Sequence, residues 1–294
     1  MEIGSSIIFN YKETDPANKK EENIKKMKDN LMKISSYVWV YDTESVSAPR
    51  EGIRKFLKFL EENHIRLLRQ RIIIDITVFT KPYFLLLLKV LHEKFGLSQF
   101  DIFYTEPERY KNRNATRNEV ILTEGLDRVE SIPGFVGSSV NSKEILIVTL
   151  GYEGKRALDV FYTVNPELTF AINGFPSYQP GGHEISLEAN LRFLQESGAS
   201  DNLSFAPARN PFETTRAVAR IVSVINEQYP DSNITIAPLG TKMQAFGVLL
   251  YALQNKAVKV VYPFPSTYKP DYSFKYGPSW IFRVDLEESK WINI

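Results

Sequence analysis

The fold is decided by the stretch Ile234-Thr235-Ile236-Ala237-Pro238-Leu239-Gly240-Thr241-Lys242-Met243. Its β-branched beginning predicts a buried strand at 234–237. Gly240 allows close approach of the backbone and Thr241 is a common N-cap residue, so a helix is predicted over 241–254. A strand that passes through a short turn into a helix is the basic unit of α/β proteins.

The same alternation runs through the rest of the chain. Further strands are predicted at 38–41, 72–76, 100–104, 145–150, 168–172, 203–206 and 258–262. Further helices are predicted at 50–63, 82–95, 155–163, 183–196 and 211–228. Two of the strands, 72–76 and 145–150, are continuous apolar runs rather than alternating ones, which is typical of strands buried on both faces. We therefore predict an α/β fold with mostly parallel sheets and helices on both faces.

The chain also contains an internal repeat. The dipeptide Thr-Lys occurs twice, at Thr80-Lys81 and at Thr241-Lys242, and each copy lies between a predicted strand and a predicted helix. One strand later each copy is followed by Tyr-x-x-Pro-x-x-Tyr, a pattern of which about 0.04 copies are expected by chance. The tyrosines of the two copies are Tyr104 and Tyr110, then Tyr262 and Tyr268.

The repeat predicts duplicated Rossmann-like modules. We assign the first module to residues 37–125 and the second, larger one to residues 126–294. Residues 1–36 precede them as an N-terminal arm or helix, because lysines and acids alternate there around few apolar anchors. A polar stretch with glycine and serine, residues 111–142, separates the two modules and is predicted to be a linker or loop.

The Thr-Lys turns are candidate ligand sites, because doubly wound sheets bind ligands beyond the carboxyl ends of their strands. A lysine in the first turn of a helix opposes the helix dipole by ~0.3–1 kcal/mol, and a bound anion would account for such a lysine in both copies. We predict ligand contacts from Gly240, Thr241 and Lys242, with Thr80 and Lys81 as the weaker site. The alternative is an ordinary helix start with a threonine cap and a solvated lysine.

A third strand end carries the loop Gly151-Tyr152-Glu153-Gly154. A strand, a glycine loop and a helix in succession can bind phosphate, so Gly151, Tyr152 and Gly154 are further candidate contacts. The Walker spacing fails here and the chain has no G-x-G-x-x-G, which argues against a P-loop NTPase and a standard dinucleotide oxidoreductase. The repeated tyrosines offer base or ribose contacts, or alternatively form rigid loops that cover the core.

Catalytic constellations are few. Glu153 and Glu106 fall at strand ends and are candidate acids or bases, although no nucleophile accompanies them. Asp75 stands in an apolar strand, where we expect a buried carboxylate paired with Lys81. No histidine pair has metal-ligand spacing, so neither a metal nor a cofactor is predicted, and an enzyme is the less favoured reading.

Composition excludes several other classes. The chain has 294 residues, no cysteine and a formal charge of +1, which argues against disulfides, thiolate metal sites and a nucleic-acid-coating surface. The first residues lack the pattern of a signal peptide, and the longest apolar run has six residues, far short of the ~20 that span a membrane. A cytoplasmic protein without a membrane segment is expected.

The strand at 234–237, the turn Gly240-Thr241-Lys242 and the apolar helix resemble the last conserved strand–loop–helix of CRISPR-associated Rossmann fold (CARF) sensors. Two such modules in one chain look like the fused pair of SAVED domains. The resemblance implies that Gly240, Thr241 and Lys242 contact a cyclic oligonucleotide, with Thr80 and Lys81 as weaker counterparts. Leu239 stands where the motif usually has a second glycine, and no effector domain is recognisable on the chain.

The leading hypothesis is a sensor that binds a nucleotide-type ligand in a prokaryotic defence or signalling system and acts through a separate effector. One alternative is a hydrolase or transferase that processes a nucleotide or nucleoside, with Glu153, Glu106 or Asp75 as acid or base. A second alternative is a non-catalytic structural subunit of a defence complex. A homo-oligomer is left open.

Overall fold

The computed structural model describes residues 3–12, 19–67, 70–110, 122–137, 143–269 and 273–287. The chain forms two compact units, Met1–Gln70 and Arg71–Ile294. This division lies within the range 37–125 that was assigned to the first module, and the module boundaries stay a prediction. Among the described residues, no helix combines the length and the apolar character needed to cross a membrane.

The first unit is a parallel strand pair with two helices. Its elements are β1 (Ile3–Asn10), α1 (Lys19–Leu31), β2 (Ser35–Asp42) and α2 (Pro49–Glu62). The rings of Phe9, Tyr41 and Phe56 pack together, and the Tyr41 hydroxyl donates to the carbonyl of Gly52 at 2.7 Å. Helix α1 buries none of its residues, as its alternating charges predict.

The second unit holds the remaining elements. Its first elements are β3 (Ile72–Asp75), α3 (Lys81–Phe95), β4 (Gln99–Tyr110), β5 (Thr123–Glu124), β6 (Arg128–Val136), β7 (Lys143–Thr149), α4 (Gly154–Val164) and β8 (Leu168–Gly174). They are followed by α5 (Gly182–Ala189), α6 (Leu191–Glu196), β9 (Leu203–Ala206), α7 (Pro211–Gln228), β10 (Ser232–Pro238), α8 (Lys242–Gln254), β11 (Lys259–Phe264), β12 (Thr267–Tyr268) and β13 (Ser273–Asp285). The predicted helix at 183–196 is thus divided between α5 and α6.

The larger sheet has six strands in the order β6-β11-β10-β7-β8-β9, all parallel except β6. Leu146 and Val148 of β7 join one apolar cluster with residues of α4 and α6. Ile145 and Ile147 point to the opposite face and are also buried. Helices therefore cover both faces of β7, and the predicted α/β fold with a mostly parallel sheet is confirmed.

The strand order reverses between β7 and β10. From β7 the chain proceeds to one side through β8 and β9, and it then crosses to the other side to form β10 and β11. The carboxyl ends of β7 and β10 therefore diverge into loops that lead to helices on opposite faces. Such a switch point leaves a crevice beyond the strand ends, where α/β proteins bind their ligands.

The smaller sheet has the order β13-β4-β3, and its connections are similar to those at one edge of the larger sheet. Helix α3 connects the parallel strands β3 and β4, and β13 is antiparallel to β4. In the same way α8 connects the parallel strands β10 and β11, and β6 is antiparallel to β11.

The two antiparallel strands exchange partners. β6 follows β4 along the chain but pairs with β11, whereas β13 follows β11 and β12 but pairs with β4. The two sheets are interlocked by this exchange, and α3 packs against α8 between them. The predicted linker at 111–142 contains β5 and β6, and its residues 111–121 and 138–142 lie outside the described residues.

Candidate ligand-binding site

A pocket of about 60 Å³ lies at the switch point, beyond the carboxyl ends of β7, β8 and β10. We call it the switch-point pocket. It is lined by Tyr110, Leu122, Leu150, Gly151, Tyr152, Asn173, Gly174, Ser177, Tyr178, Gly182, Ser186, Ala208, Leu239, Gly240, Thr241 and Gln244. Its volume is several times the ~10–15 Å³ that one water molecule needs, and is suited to part of a small ligand.

Glycine keeps the two strand ends of this pocket close together. A Cβ at Gly151 would lie 2.4 Å from the carbonyl oxygen of Leu239, so only a glycine permits this approach. The neighbouring turn is fixed by the Gly240 amide, which donates to the Thr149 hydroxyl at 3.0 Å. Two of the three predicted glycines, Gly151 and Gly240, therefore line the pocket.

Three residues that line this pocket have a buried polar side-chain atom without a hydrogen-bond partner among the described residues: Gln244 Nε2, Asn173 Oδ1 and the Tyr178 hydroxyl. Gln244 and Asn173 are 0% exposed and Tyr178 is 7% exposed. A buried polar group that stays unpaired costs ~1–3 kcal/mol, so a molecule that reached these atoms would gain by pairing with them. The Gln244 nitrogen is a donor, the Asn173 oxygen is an acceptor, and the hydroxyl can be either.

The other ends of these two amides are held in place. Gln244 Oε1 accepts from the backbone amide of Thr241 at 3.0 Å. The backbone amide of Gln244 in turn donates to the Thr241 hydroxyl at 3.1 Å, and the two bonds form a capping box at the start of α8. Asn173 Nδ2 donates to the carbonyl of His183 at 3.1 Å. These contacts fix which atom of each amide is left for a ligand.

Tyrosines stand around the pocket. The rings of Tyr110 and Tyr152 meet edge to face, with centroids 5.5 Å apart. Tyr178 is buried, and desolvation raises the pKa of its hydroxyl, which therefore stays neutral. Because Tyr110 belongs to β4, the smaller sheet also contributes to the pocket.

The other repeated tyrosines lie elsewhere. Tyr104 is buried, with its ring centroid 6.2 Å from that of Tyr178. Tyr262 is buried against Phe264, and Tyr268 pairs with β5. None of these three lines the described pocket, so the structure places one of the four repeated tyrosines, Tyr110, at the site beside the predicted Tyr152.

The two predicted lysines form reciprocal bonds between the sheets. Lys81 Nζ donates to the carbonyl of Leu239 at 2.7 Å, and Lys242 Nζ donates to the carbonyl of Thr77. Lys81, at the start of α3, thus bonds the turn that follows β10, and Lys242, at the start of α8, bonds the turn that follows β3. These carbonyls offset the unfavourable helix dipole without an anion, and neither lysine is among the residues lining the pocket.

Desolvation changes the acidity of both lysines. It lowers the pKa of Lys81 to about 7, with the Glu153 carboxylate opposing the shift and Arg156 and Lys242 adding to it. It lowers the pKa of Lys242 to about 8, with Asp75 opposing. Near pH 7 the two lysines that donate these bonds are therefore close to losing their positive charge.

The two threonines of the Thr-Lys turns differ. Thr241 lines the pocket, caps α8 and donates from its hydroxyl to the carbonyl of Ala208 at 2.7 Å. Thr80 is the N-cap residue of α3, but its side chain makes no capping hydrogen bond and it is not among the lining residues.

Two of the candidate acids are engaged in structural contacts. Glu106 is 2% exposed, accepts from Arg209 Nε at 2.7 Å and accepts from Trp280 Nε1 at 2.7 Å. Glu153 Oε1 accepts from the amide of Thr123 at 2.9 Å and from its hydroxyl at 2.7 Å, which holds β5 beside α4. Neither carboxylate lines the pocket.

The expectations for Asp75 are wrong. Its side chain is exposed and accepts from the amide of Thr77 at 2.8 Å, and the charge that it faces is Lys242 rather than Lys81. β3 is an edge strand of a three-stranded sheet, so only alternate residues such as Ile74 are buried there.

The candidate contact Gly154 serves packing instead. A Cβ at this position would lie 1.7 Å from the carbonyl oxygen of Ala189, so glycine lets α4 begin against the end of α5. The residue is buried and is not among those that line the pocket. Of the glycine loop, the lining residues are Gly151 and Tyr152.

Gln244, Asn173 and Tyr178 were not among the predicted contacts. Gln244 has a sequence signal, because glutamine three residues after Thr241 completes a capping box. Asn173 is followed by a glycine at a strand end. Tyr178 has no comparable signal, since it lies in the loop between β8 and α5.

The shifted lysines predict how stability depends on pH. Lys81 has a pKa of about 7 when folded, below its ordinary 10.5, so the folded state binds fewer protons than the unfolded state between these values. The free energy of unfolding should therefore rise from pH 7 to pH 10. Urea denaturation of Lys81→Met should show a flatter rise, while the exposed control Lys155→Met keeps the wild-type slope. An unchanged slope in Lys81→Met would contradict this account.

The contacts of the buried Glu106 predict a loss of stability. Glu106→Ala leaves the Arg209 guanidinium, whose side chain is 36% exposed, and the Trp280 indole without their acceptor, and it should lower the free energy of unfolding by about 1–3 kcal/mol. The exposed Glu108, two residues along the same strand, provides the control, and Glu108→Ala should change stability by less than about 0.5 kcal/mol. Urea denaturation measures both, and equal losses would refute the assignment.

Comparisons with known proteins leave the family of this chain open. No protein-family model matches it, and a search of curated proteins finds no match. The resemblance to CARF and SAVED proteins therefore stays a prediction, and the function has to be argued from the geometry of the switch-point pocket.

Proposed function

We propose that this protein is a sensor that binds a nucleotide-type ligand in the switch-point pocket. The observation that carries the proposal is the pair of fully buried, unpartnered atoms Gln244 Nε2 and Asn173 Oδ1 on the pocket. A donor and an acceptor on one pocket can pair with the edge of a nucleobase, which presents complementary acceptors and donors.

The surroundings of the two amides support a base rather than a bare anion. Tyr110 and Tyr152 stand at the pocket as aromatic surfaces, and the lysines that would attract phosphate are bonded to carbonyls instead. The volume of about 60 Å³ suits the edge of one base, with the sugar and phosphate outside. A phosphate there would meet the amino end of α8.

The proposal includes two duplicated Rossmann-like modules. Three features support the duplication: two parallel strand pairs connected by Thr-Lys helices, an antiparallel strand on each pair, and the reciprocal bonds of the two lysines. In a duplicated molecule the two Thr-Lys turns are equivalent, and each lysine bonds a carbonyl of the strand end in the opposite copy, although the two carbonyls differ by one position relative to the Thr-Lys dipeptide.

A sensing role is favoured over catalysis. Glu106 and Glu153 are committed to structural hydrogen bonds, and Asp75 is exposed away from the pocket. A ligand would touch β4 through Tyr110 and the larger sheet through Asn173 of β8, so its binding would bear on the contact between the two sheets. On this proposal a separate effector of a prokaryotic defence or signalling system reads that change.

Calorimetry tests the proposal. The full-length chain is titrated with the ribonucleoside monophosphates and with linear and cyclic dinucleotides. Gln244→Glu keeps the oxygen that caps α8 but replaces the donor nitrogen by a carboxylate oxygen, so it should weaken binding at least tenfold. Because the position is fully buried, thermal denaturation checks that the variant is folded, and Gln244→Met replaces it if it is not. Gln254→Glu, an exposed change on the same helix, should bind like the wild type. The proposal fails if no nucleotide binds, or if both variants bind alike.

A further inference from the structure

Strand β13 is an edge strand of the smaller sheet. It pairs with β4 on one side, and no strand of the described residues lies on its other side. β13 is 13 residues long and mostly exposed. Ile281 is 67% exposed and Trp280 is 37% exposed. A long, exposed edge strand with apolar side chains is suited to pairing with a strand of another chain.

The hydrogen-bond pattern determines which residues of β13 turn their backbone groups to this outer edge. The pairing with β4 is regular from Ser279 onward. The backbone amide of Leu286, directly after β13, donates to the carbonyl of Ser98, directly before β4, so the even-numbered residues of this stretch face β4. Because successive residues of a strand face opposite sides, Ser279, Ile281 and Arg283 present their N–H and C=O groups outward.

A second copy of the same strand fits this edge. In an antiparallel pair centred on a two-fold axis at Ile281, the two copies of Ile281 lie opposite each other, and each Ser279 lies opposite an Arg283. All of these residues present outward groups, so three hydrogen-bonded pairs form. Each such pair exchanges two bonds, which gives about six, within the ~10 ± 5 direct hydrogen bonds of a typical interface.

This register also suits the side chains. The exposed Ile281 meets its own copy, and on the other face each Trp280 lies across from a Phe282, an aromatic pair of the kind that stabilises antiparallel sheets. Arg283 meets a serine, and its charge is balanced by Asp101 at 3.3 Å. A shift of the axis by one residue in either direction would place Ile281 opposite a polar residue, and an axis at Arg283 would oppose two like charges.

We propose that this protein forms a two-fold symmetric homodimer in which the two copies of β13 pair antiparallel about Ile281. The three-stranded smaller sheets of the two copies then join into one sheet with the strand order β3-β4-β13-β13-β4-β3. The dimer uses a surface other than the switch-point pocket, and it does not depend on the proposed function.

Sedimentation velocity of the full-length chain, without nucleotide and over a range of protein concentrations, tests the dimer. The wild type should reach twice the chain mass as the concentration rises. Ile281→Pro removes an outward N–H but no bond to β4, so it should raise the dimer dissociation constant at least tenfold. Ile281→Lys brings two ammonium groups together at the axis and should have the same effect. It replaces the proline variant if thermal denaturation shows that variant to be unfolded.

The matched control is Ile73→Lys. Ile73 is 42% exposed and lies on the same face of the sheet, but on the opposite edge strand β3. This variant should dimerise like the wild type. A wild-type chain that stays monomeric at every concentration, or an equal loss of the dimer in Ile73→Lys, would overturn the proposal. So would a dimer that persists in both variants at Ile281.

Cysteine cross-linking tests the register, because the chain has no cysteine of its own. In the proposed pair the two Cα atoms at position 281 lie ~5.5 Å apart, within the range of a disulfide, so oxidised Ile281→Cys should run as a covalent dimer on a denaturing gel. Arg283→Cys should stay monomeric, because its two copies are displaced by four residues, about 13 Å along the strand. Equal cross-linking of the two variants, or none in either, would overturn the proposed pairing.

Discussion

The rest of the second unit depends on the contact between two strand ends, made by a pair of reciprocal hydrogen bonds. Lys81 bonds the carbonyl of Leu239, and Lys242 bonds that of Thr77. Desolvating two ammonium groups is costly, and their lowered pKa values express that cost. The cost is offset because the same contact buries α3 against α8 and brings the Phe100 and Phe246 rings to 6.4 Å.

The exchange of β6 and β13 between the two sheets stabilises this contact. Each sheet receives a strand whose sequence neighbours belong to the other, so the sheets cannot separate without breaking antiparallel pairing. The buried Glu106 adds a second tie, because it accepts from Trp280 of β13 and from Arg209 of the β9–α7 loop. As a result Tyr110, at the end of β4, is held at a pocket that belongs to the larger sheet.

Local sequence patterns predict the strands and turns whose conformation depends on neighbouring residues. Of the two continuous apolar runs, 145–150 is a buried parallel strand, β7, as predicted. The prediction for 72–76 is wrong, because β3 is an edge strand with alternating burial. The turns at Gly151 and Gly240 mark strand ends that form the pocket. Residues of β6 and β13 lack such a run, since β13 carries Gly277 and Pro278 and is almost entirely exposed. The hydrogen-bond partners of the two lysines were not predictable either. Each lysine bonds a carbonyl that is far away along the chain, and the two groups come together only in the folded protein.

The nearly neutral charge of the chain fits a structure in which lysines bond one sheet to the other and uncharged side chains line the pocket. The two half-buried lysines of the Thr-Lys turns bond across the sheets, and the unpaired amide atoms on the pocket, Gln244 Nε2 and Asn173 Oδ1, are uncharged. A site of this kind discriminates by hydrogen-bond pattern, because a molecule with the wrong pattern leaves buried atoms unpaired. Since Leu239 lines the pocket and also accepts the bond from Lys81, a ligand that moves this turn acts directly on the contact between the sheets.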